Sequence, residues 1–320
     1  FKDALENLNQ FNYQEISVFF SDDYKNGSWG KDEMVDYLTQ FLFYGENVTL
    51  HTDSVFVSYS NLSSHWNFTA ISEDREILAD TTFIDYLIKE NEEYKFYGDQ
   101  EGSQKILVEL FTSITCTYCP LVENALHNLR FKYSSRLKYT EYHIGDALDC
   151  GNMQLLSYYP GHGVLPLTII HGNAAIIEGA SEEIEEDIDA VITPIMNETP
   201  TVELYDLQAS LEADQLTGSV ILDVETSIST DDLYLKFVIL EDFNTEYYNF
   251  NGDHLHNVVW AREEISLSDS NFDDSIQFAI TDLSDLPDDI TLIVWVQTLE
   301  DPYNSNTCKV YNVIEKSLSN

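Results

Sequence analysis

Two cysteines separated by two residues lie where a fully apolar segment gives way to an amphipathic one. The run KILVELFTSIT (105–115) consists almost entirely of apolar and β-branched residues, as a strand buried on both faces requires. The segment that follows, CPLVENALHNL, brings Val122, Leu126 and Leu129 onto one face of a helix. Cys116 and Cys119 therefore lie at a strand–helix junction, which constrains the fold of this region more than any other feature.

The position of the two thiols favours redox chemistry. A thiol attacks a disulfide as the thiolate, and the free N–H groups and dipole of a helix N-terminus stabilise that charge. Cys116 is therefore the predicted attacking thiol, and Cys119, one helical turn later, is the predicted resolving thiol. A disulfide between Cys116 and Cys119 is expected in the oxidised protein.

Zinc binding is the alternative reading of this spacing. A structural zinc site needs two further ligands, usually in a comparable pair. The sequence contains no second C-x-x-C, and His254 and His256 lie far from the cysteines along the chain. The prediction is therefore redox chemistry, with no metal ion and no cofactor.

The segments after the first helix complete a recognisable order of elements. RLKYTEYHIGD predicts a strand, NMQLLSYY a helix, VLPLTIIHGNAAIIEG a hairpin turning at Gly172–Asn173, and SEEIEEDIDAVITPIMN a helix. The order β-α-β-α-β-β-α resembles the thioredoxin fold. That resemblance implies that Pro166 begins, in cis, the strand facing the cysteines; a trans proline at a strand start is the alternative. His143 and His162 could approach the same edge or simply make local polar contacts.

The segments on either side predict two further domains. Amphipathic helices at 1–12 and 31–43 precede strand-like segments up to residue 98, which predicts an α+β domain. The stretches FFSDDYKNGSWGKDEMVDYL and FIDYLIKENEEYKFYGDQ resemble the nuclear transport factor 2-like (SnoaL-like) fold. Asp22, Asp23 and His51 could line a pocket there, although turn capping and ordinary strand exposure also explain them.

Seven strand-like segments after residue 198, separated by turn residues, predict an immunoglobulin-like β-sandwich. The predicted domains are therefore an α+β cone at 1–101, an α/β thioredoxin-like domain at 102–197 and an all-β sandwich at 198–320.

Three segments together resemble the outer membrane protein 28-related family: ILVELFTSITCTYCPLVENALHNL, YHIGDALDCGNMQLLSYYPGHGVLPLTIIHG, and the strands from LYLKFVILEDFN to ITLIVWVQTLED. The resemblance covers about residues 104–320 and implies a secreted or surface-attached protein with a thioredoxin-like domain followed by a β-sandwich. Where that family often has H-V-V-R, this chain reads HNVVWAR (256–262). A role tied to that arginine is therefore not carried over.

Composition limits the partners. The 320 residues contain 57 Asp and Glu against 15 Lys and Arg, a net charge of −42, which repels nucleic acids and anionic membranes. No apolar stretch is long enough to span a membrane. We therefore expect no nucleic-acid partner and no transmembrane segment. The chain is either cytosolic or exported with its signal peptide removed, and the family resemblance implies an extracytoplasmic protein. Sequons that permit glycosylation start at Asn26, Asn47, Asn61, Asn67 and Asn197.

The remaining cysteines, Cys150 and Cys308, either form a second disulfide that links two domains or remain free thiols. Export favours the bridge. Whether the chain is an enzyme stays open at this point. One hypothesis is a thiol–disulfide oxidoreductase that acts on protein partners. The other is a surface binding or structural protein that assembles with neighbouring subunits and whose C-x-x-C is a structural disulfide.

Overall fold

The structure is a computed structural model. It describes residues 1–6, 16–26, 29–39, 48–51, 55–58, 63–72, 77–90, 93–98, 103–212, 214–268, 270, 272, 275–283, 286–287 and 289–319. The described residues are mostly in β-strands that form several sheets. The chain divides into two compact units: unit 1 contains 1–102 with 130–135, and unit 2 contains 103–129 with 136–320. Residues on both sides of the predicted boundary at 197 therefore belong to one compact unit.

Unit 1 combines helices with an antiparallel sheet. Its elements are β1 Lys25–Asn26, β2 Trp29–Gly30, β3 Val48–His51, β4 Val55–Ser58, β5 Ser63–Ser72, β6 Ile77–Glu90, β7 Glu93–Gly98, α1 Lys2–Glu6 and α2 Lys31–Thr39. The larger sheet has the order β3-β5-β6-β7, with β4 also paired to β5. Its core is aromatic: Trp66 stacks on Phe83 with ring centroids 4.4 Å apart. Within this core, Asp85 is buried and accepts hydrogen bonds from Tyr24 Oη and Trp66 Nε1.

Unit 2 begins with alternating strands and helices. These are β8 Ile106–Thr112, α3 Cys119–Tyr133, β9 Leu137–His143, α4 Met153–Tyr158, β10 Leu167–Ile170, β11 Ala175–Glu178 and α5 Ile184–Met196, with a 3-10 turn at Ser134–Arg136. The predicted order β-α-β-α-β-β-α is confirmed. The hairpin of β10 and β11 turns at Gly172, whose φ is +79°. A Cβ at Gly172 would lie 2.5 Å from the carbonyl oxygen of Cys308, so only glycine fits this approach.

The seven strands predicted after residue 198 are all present. They are β12 Val202–Glu212, β13 Gln215–Val224, β14 Leu233–Tyr248, β15 His254–Ser266, β16 Ile276–Ile280, β17 Asp289–Thr298 and β18 Val310–Ser319. The strands β12, β13 and β16 form a separate three-stranded antiparallel sheet. The other four strands, β14, β15, β17 and β18, lie in one sheet with the strands β8, β9, β10 and β11.

One eight-stranded sheet runs through unit 2 in the order β11-β10-β8-β9-β15-β14-β17-β18. Strands β8 and β9 are parallel from Ile106↔Leu137 to Thr112↔His143. The link between the two halves is a parallel bridge from Glu141 of β9 to Val258 of β15. Strands more than a hundred residues apart in sequence therefore share one backbone hydrogen-bond network.

Strand β14 is buried on both faces because each face has its own core. Leu235, Phe237 and Ile239 pack in a cluster with residues of the three-stranded sheet. Val238 and Leu240 point to the opposite face, where their cluster includes Phe111, Tyr142 and the α4 residues Leu155 and Leu156. The second cluster contains side chains from both halves of the eight-stranded sheet, so apolar packing joins them as well as the bridge between β9 and β15.

Candidate functional site

Cys116 and Cys119 form a disulfide, with a Cα–Cα distance of 5.4 Å. The backbone N–H of Cys116 donates to the carbonyl of Ser113 at 2.9 Å, which holds the loop that follows β8. Helix α3 begins at Cys119, and the N–H of Cys119 donates to Sγ of Cys116 at 3.2 Å. A thiolate on Cys116 would accept this hydrogen bond at the positive end of the helix.

The two sulfur-bearing residues differ in exposure. Cys116 is partly exposed, whereas Cys119 is 0% exposed. The intervening Tyr118 is 63% exposed, so its ring is directed largely to solvent and does not bury Cys116. A nucleophile from a partner molecule can therefore reach Cys116 but not Cys119.

Pro166 lies at the same end of the sheet as the cysteines. The Leu165–Pro166 peptide bond is cis, as the fold resemblance implies. The next residue, Leu167, pairs with Phe111 near the end of β8. The cysteine loop follows the end of β8, and Pro166 precedes the start of the antiparallel strand β10. Pro166 and the disulfide therefore lie at the same edge of the sheet, at the ends of two adjacent strands.

A buried carboxyl group lies one helical turn beyond Cys119. Glu123 accepts hydrogen bonds from Oγ1 of Thr112 at 2.6 Å and from Nδ2 of Asn249 at 3.0 Å. Burial raises its pKa, although these two hydrogen bonds act in the opposite direction. Glu123 thus ties α3 to the end of β8 and to the connection between β14 and β15. No local sequence pattern singles out Glu123, since one glutamate on a helix ordinarily faces solvent.

Strand β9 contributes two more buried titratable groups, Glu141 and His143, which lie two residues apart and so face the same side of the sheet. The pKa of Glu141 is raised well above its usual range, first by burial and second by the charge of Glu123. Nδ1 of His143 lies 2.9 Å from Oδ2 of Asp146, which also accepts the N–H of Ile114. Burial opposes ionisation of Asp146, but these hydrogen bonds outweigh it and lower its pKa. The local signal for Glu141 was a charged residue inside a fully buried strand.

A cavity of about 360 Å³ opens beside Glu123 and Glu141. We call it the acidic pocket; its titratable lining residues are Glu123, His127, Glu141, Asp253, His254 and His256. Part of its wall is a series of rings: His256 lies 4.5 Å from His127 and 5.1 Å from Phe243, centroid to centroid. Within the described residues, no group of three or more His, Cys, Asp or Glu side chains is arranged to hold a metal ion.

The predicted disulfide between Cys150 and Cys308 is wrong, because both are free thiols. Cys308 is buried, and its Sγ lies 3.1 Å from Oη of Tyr158. Sγ of Cys150 instead donates to Oδ1 of Asn152 and to the carbonyl of Val259. Each thiol is satisfied locally, so the fold does not bring the two together.

The other predicted residues occupy separate positions. His162 makes a local contact, with Nδ1 2.9 Å from the carbonyl oxygen of Tyr159. In unit 1, Asp22 is exposed and pairs with Lys31 at 2.6 Å. Asp23 is also exposed, and its backbone N–H donates to Oγ of Ser21. The His51 side chain lies outside the described side chains.

Three of the five sequon asparagines are described. Asn26 donates from Nδ2 to the buried Asp85, Asn67 lies on β5, and Asn197 is exposed after α5, where it donates to the carbonyl of Thr193. Asn47 and Asn61 lie outside the described residues. None of the helices in the described part of the chain is long and apolar enough to cross a membrane.

No protein-family model and no curated protein match the chain. HBP35 of Porphyromonas gingivalis is similar in structure, with a TM-score of 0.52 and 18% identity over 68% of this chain and 76% of that chain. A protein from Agrobacterium tumefaciens matches with a TM-score of 0.43 and 15% identity over 67% of this chain and 94% of its own. A protein with a cystatin-like fold from Nostoc punctiforme has a TM-score of 0.23 and 12% identity over 30% of this chain and 77% of its own. At these identities, the likeness to HBP35 concerns the fold alone.

Proposed function

We propose that this chain is an extracytoplasmic or surface-attached thiol–disulfide oxidoreductase that acts on protein partners through Cys116 and Cys119. The observation that carries the proposal is the asymmetry of the disulfide: Cys116 is partly exposed just before a helix, and Cys119 is fully buried at the helix start. A purely structural disulfide has no need of an accessible sulfur at a site that stabilises a thiolate.

The exchange begins with the disulfide form. A thiolate of the partner attacks Sγ of Cys116, so a mixed disulfide forms and Cys119 leaves as a thiolate. A second partner thiol then attacks the partner sulfur of the mixed disulfide, and Cys116 leaves. The partner gains a disulfide and loses two electrons, while Cys116 and Cys119 gain those electrons and become thiols. In the reverse direction, Cys116 attacks a partner disulfide and Cys119 resolves the intermediate.

The proposal includes a thioredoxin-like fold for residues 102–197. The order of elements, the strand order β11-β10-β8-β9 and the cis bond before Pro166 are the features that favour it. The backbone beside Pro166 would then offer hydrogen-bonding groups to a partner chain. We further propose a nuclear transport factor 2-like fold for residues 1–101 and an immunoglobulin-like sandwich for 198–320, with membership of the outer membrane protein 28-related family.

A trapping experiment tests the exchange. With Cys119→Ser, the mixed disulfide on Cys116 cannot be resolved, so covalent adducts with partner proteins should accumulate in an extract of the source cells. Both variants also carry Cys150→Ser, which removes the exposed free thiol. The matched control, Cys116→Ser, should then trap none, because Cys119 and Cys308 are buried. A redox titration should give a potential above about −300 mV, the upper bound of inert structural disulfides. A lower potential with no adducts in either variant would sink the proposal.

The alternative is a surface binding or assembly protein with a structural disulfide. One observation favours it: Ile114, in the loop before Cys116, packs against a cluster that contains Leu255 and Val258 of β15. Strand β15 therefore restricts one side of the site. Under this alternative the potential falls below about −300 mV, and light scattering shows self-association that the Cys119→Ser change leaves intact.

A further inference from the structure

We propose that the acidic pocket binds the guanidinium group of an arginine side chain presented by a partner polypeptide. The pocket volume of about 360 Å³ lies within the range of about 300–1,000 Å³ that is usual for ligand sites. The binding does not require the cysteines to exchange, so it goes beyond the proposed redox function.

The carboxyl groups of the pocket call for a ligand rich in donors. Glu141 is 1% exposed, and within the described residues its Oε2 has no hydrogen-bond partner. Glu123 and Asp253 contribute further carboxyl groups, and the residues that line the pocket include no Lys or Arg. A guanidinium group has five N–H donors and no acceptor, so it pairs with Glu141 once the bound cation has displaced the proton that burial otherwise keeps on this carboxyl. An anionic ligand would be repelled.

The rings of the pocket favour guanidinium over ammonium. His127, His256, Phe243 and His254 follow one another with centroid separations of 4.5, 5.1 and 4.8 Å. A planar guanidinium can stack on such rings while its edge bonds to carboxylates, whereas an ammonium is a compact point charge. Arginine should therefore bind more tightly than lysine.

Charge and surface chemistry point to a polypeptide as the occupant. Phe243, Tyr248 and Phe250 are 42, 48 and 55% exposed, and the ring of Tyr248 lies 4.7 Å from that of His254. These side chains give a bound chain apolar area beside the pocket. The net charge of −42 also speeds encounter with a basic partner.

Helix α3 relates the pocket to the disulfide. Cys119, Glu123 and His127 are spaced four residues apart and therefore lie along one face of the helix. At about 1.5 Å per residue, Glu123 lies about 6 Å along the helix axis from Cys119. A chain that docks at Cys116 could thus place an arginine, a few residues away, in the pocket.

Calorimetry with the full oxidised chain tests the inference. The probe is acetyl-Gly-Arg-Gly-amide, and its control replaces arginine with citrulline, which has the same shape without the charge. We expect the arginine peptide to bind about tenfold more tightly or better, the effect of one charge-assisted hydrogen bond. Glu141→Gln should weaken the arginine peptide by a similar factor. Glu212→Gln, an exposed glutamate on β12, should leave it unchanged.

Other results overturn the proposal. Equal affinity for the two peptides, no binding of either, or the same loss from Glu141→Gln and Glu212→Gln would each refute a guanidinium site. Methylguanidinium and free arginine form a second arm of the experiment. If either binds as tightly as the peptide, the pocket takes a small molecule, and the polypeptide occupant is refuted. The redox titration is separate, so failure of one proposal leaves the other measurable.

Discussion

Replacing Glu141 by glutamine should change how the stability of unit 2 depends on pH. Glu141 is almost fully buried on β9, and burial with the nearby Glu123 raises its pKa well above the usual range. The unfolded chain therefore loses this proton at a lower pH than the folded chain. The stability tied to the proton is fully present below the ordinary pKa of about 4.5. It is lost as pH rises toward the folded value.

The size of the effect follows from one proton. The free energy of unfolding can fall by about 1.4 kcal/mol per pH unit, which is at most about 3 kcal/mol over two pH units. Glutamine cannot ionise, so Glu141→Gln should remove this slope and make unit 2 relatively more stable toward neutral pH. Hydrogen–deuterium exchange of the β9 amides (Leu137–His143) reports the free energy of opening this strand and can be followed from pH 5 to 7.

Two comparisons make the result specific to Glu141. The histidines near Glu141, namely His127, His143, His254 and His256, are present in both proteins, so the two proteins differ only at position 141. Glu212→Gln removes an exposed carboxylate and should keep the pH slope of the original protein. Parallel curves for the original protein and Glu141→Gln would refute the idea that a buried, protonated Glu141 contributes to stability.

Two further predictions concern packing and the free thiols. Leu240→Ala should cost about 2–5 kcal/mol and lower exchange protection in both β8 and β17, because Leu240 packs in the cluster shared by both halves of the sheet. The control Val164→Ala, at a side chain 43% exposed, should change stability little. If Leu240→Ala lowered exchange protection in β17 alone, the shared core would be contradicted. Under native conditions, a maleimide should label Cys150 and not Cys308, because only the former is exposed. In denaturant without reductant, both Cys150 and Cys308 should be labelled. If neither cysteine were labelled under those conditions, the two would be joined in a disulfide.

Local patterns in the sequence were sufficient for the order of elements around the cysteines. The continuous apolar run before Cys116 predicts a strand buried on both faces, and β8 is buried at every position. The turn at Gly172–Asn173 predicts the hairpin of β10 and β11. The seven strands after residue 198 follow in the same way from β-branched runs between turn residues. Such features depend on neighbours within a few residues, so the chain encodes them directly.

The site around the disulfide could be predicted only in part. The spacing of Cys116 and Cys119 predicts their disulfide, since residues three apart at a helix start are neighbours. Glu123, Glu141 and Asn249 belong to three elements, and no local pattern relates them. The prediction for Cys150 and Cys308 was wrong for the same reason: a disulfide needs a Cα–Cα distance below about 7 Å, which sequence alone does not supply.

The sequence by itself determined the strand–helix junction, the position of Cys116 at a helix start and the acidic character of the chain. Only the tertiary structure decided that β9 and β15 join two segments in one sheet, and that buried carboxyl groups and rings meet in a pocket beside α3. The physical reason is the distance along the chain over which each effect acts. Periodicity and helix-end electrostatics act between residues close in the chain, whereas sheet pairing and pocket formation depend on which distant surfaces bury each other.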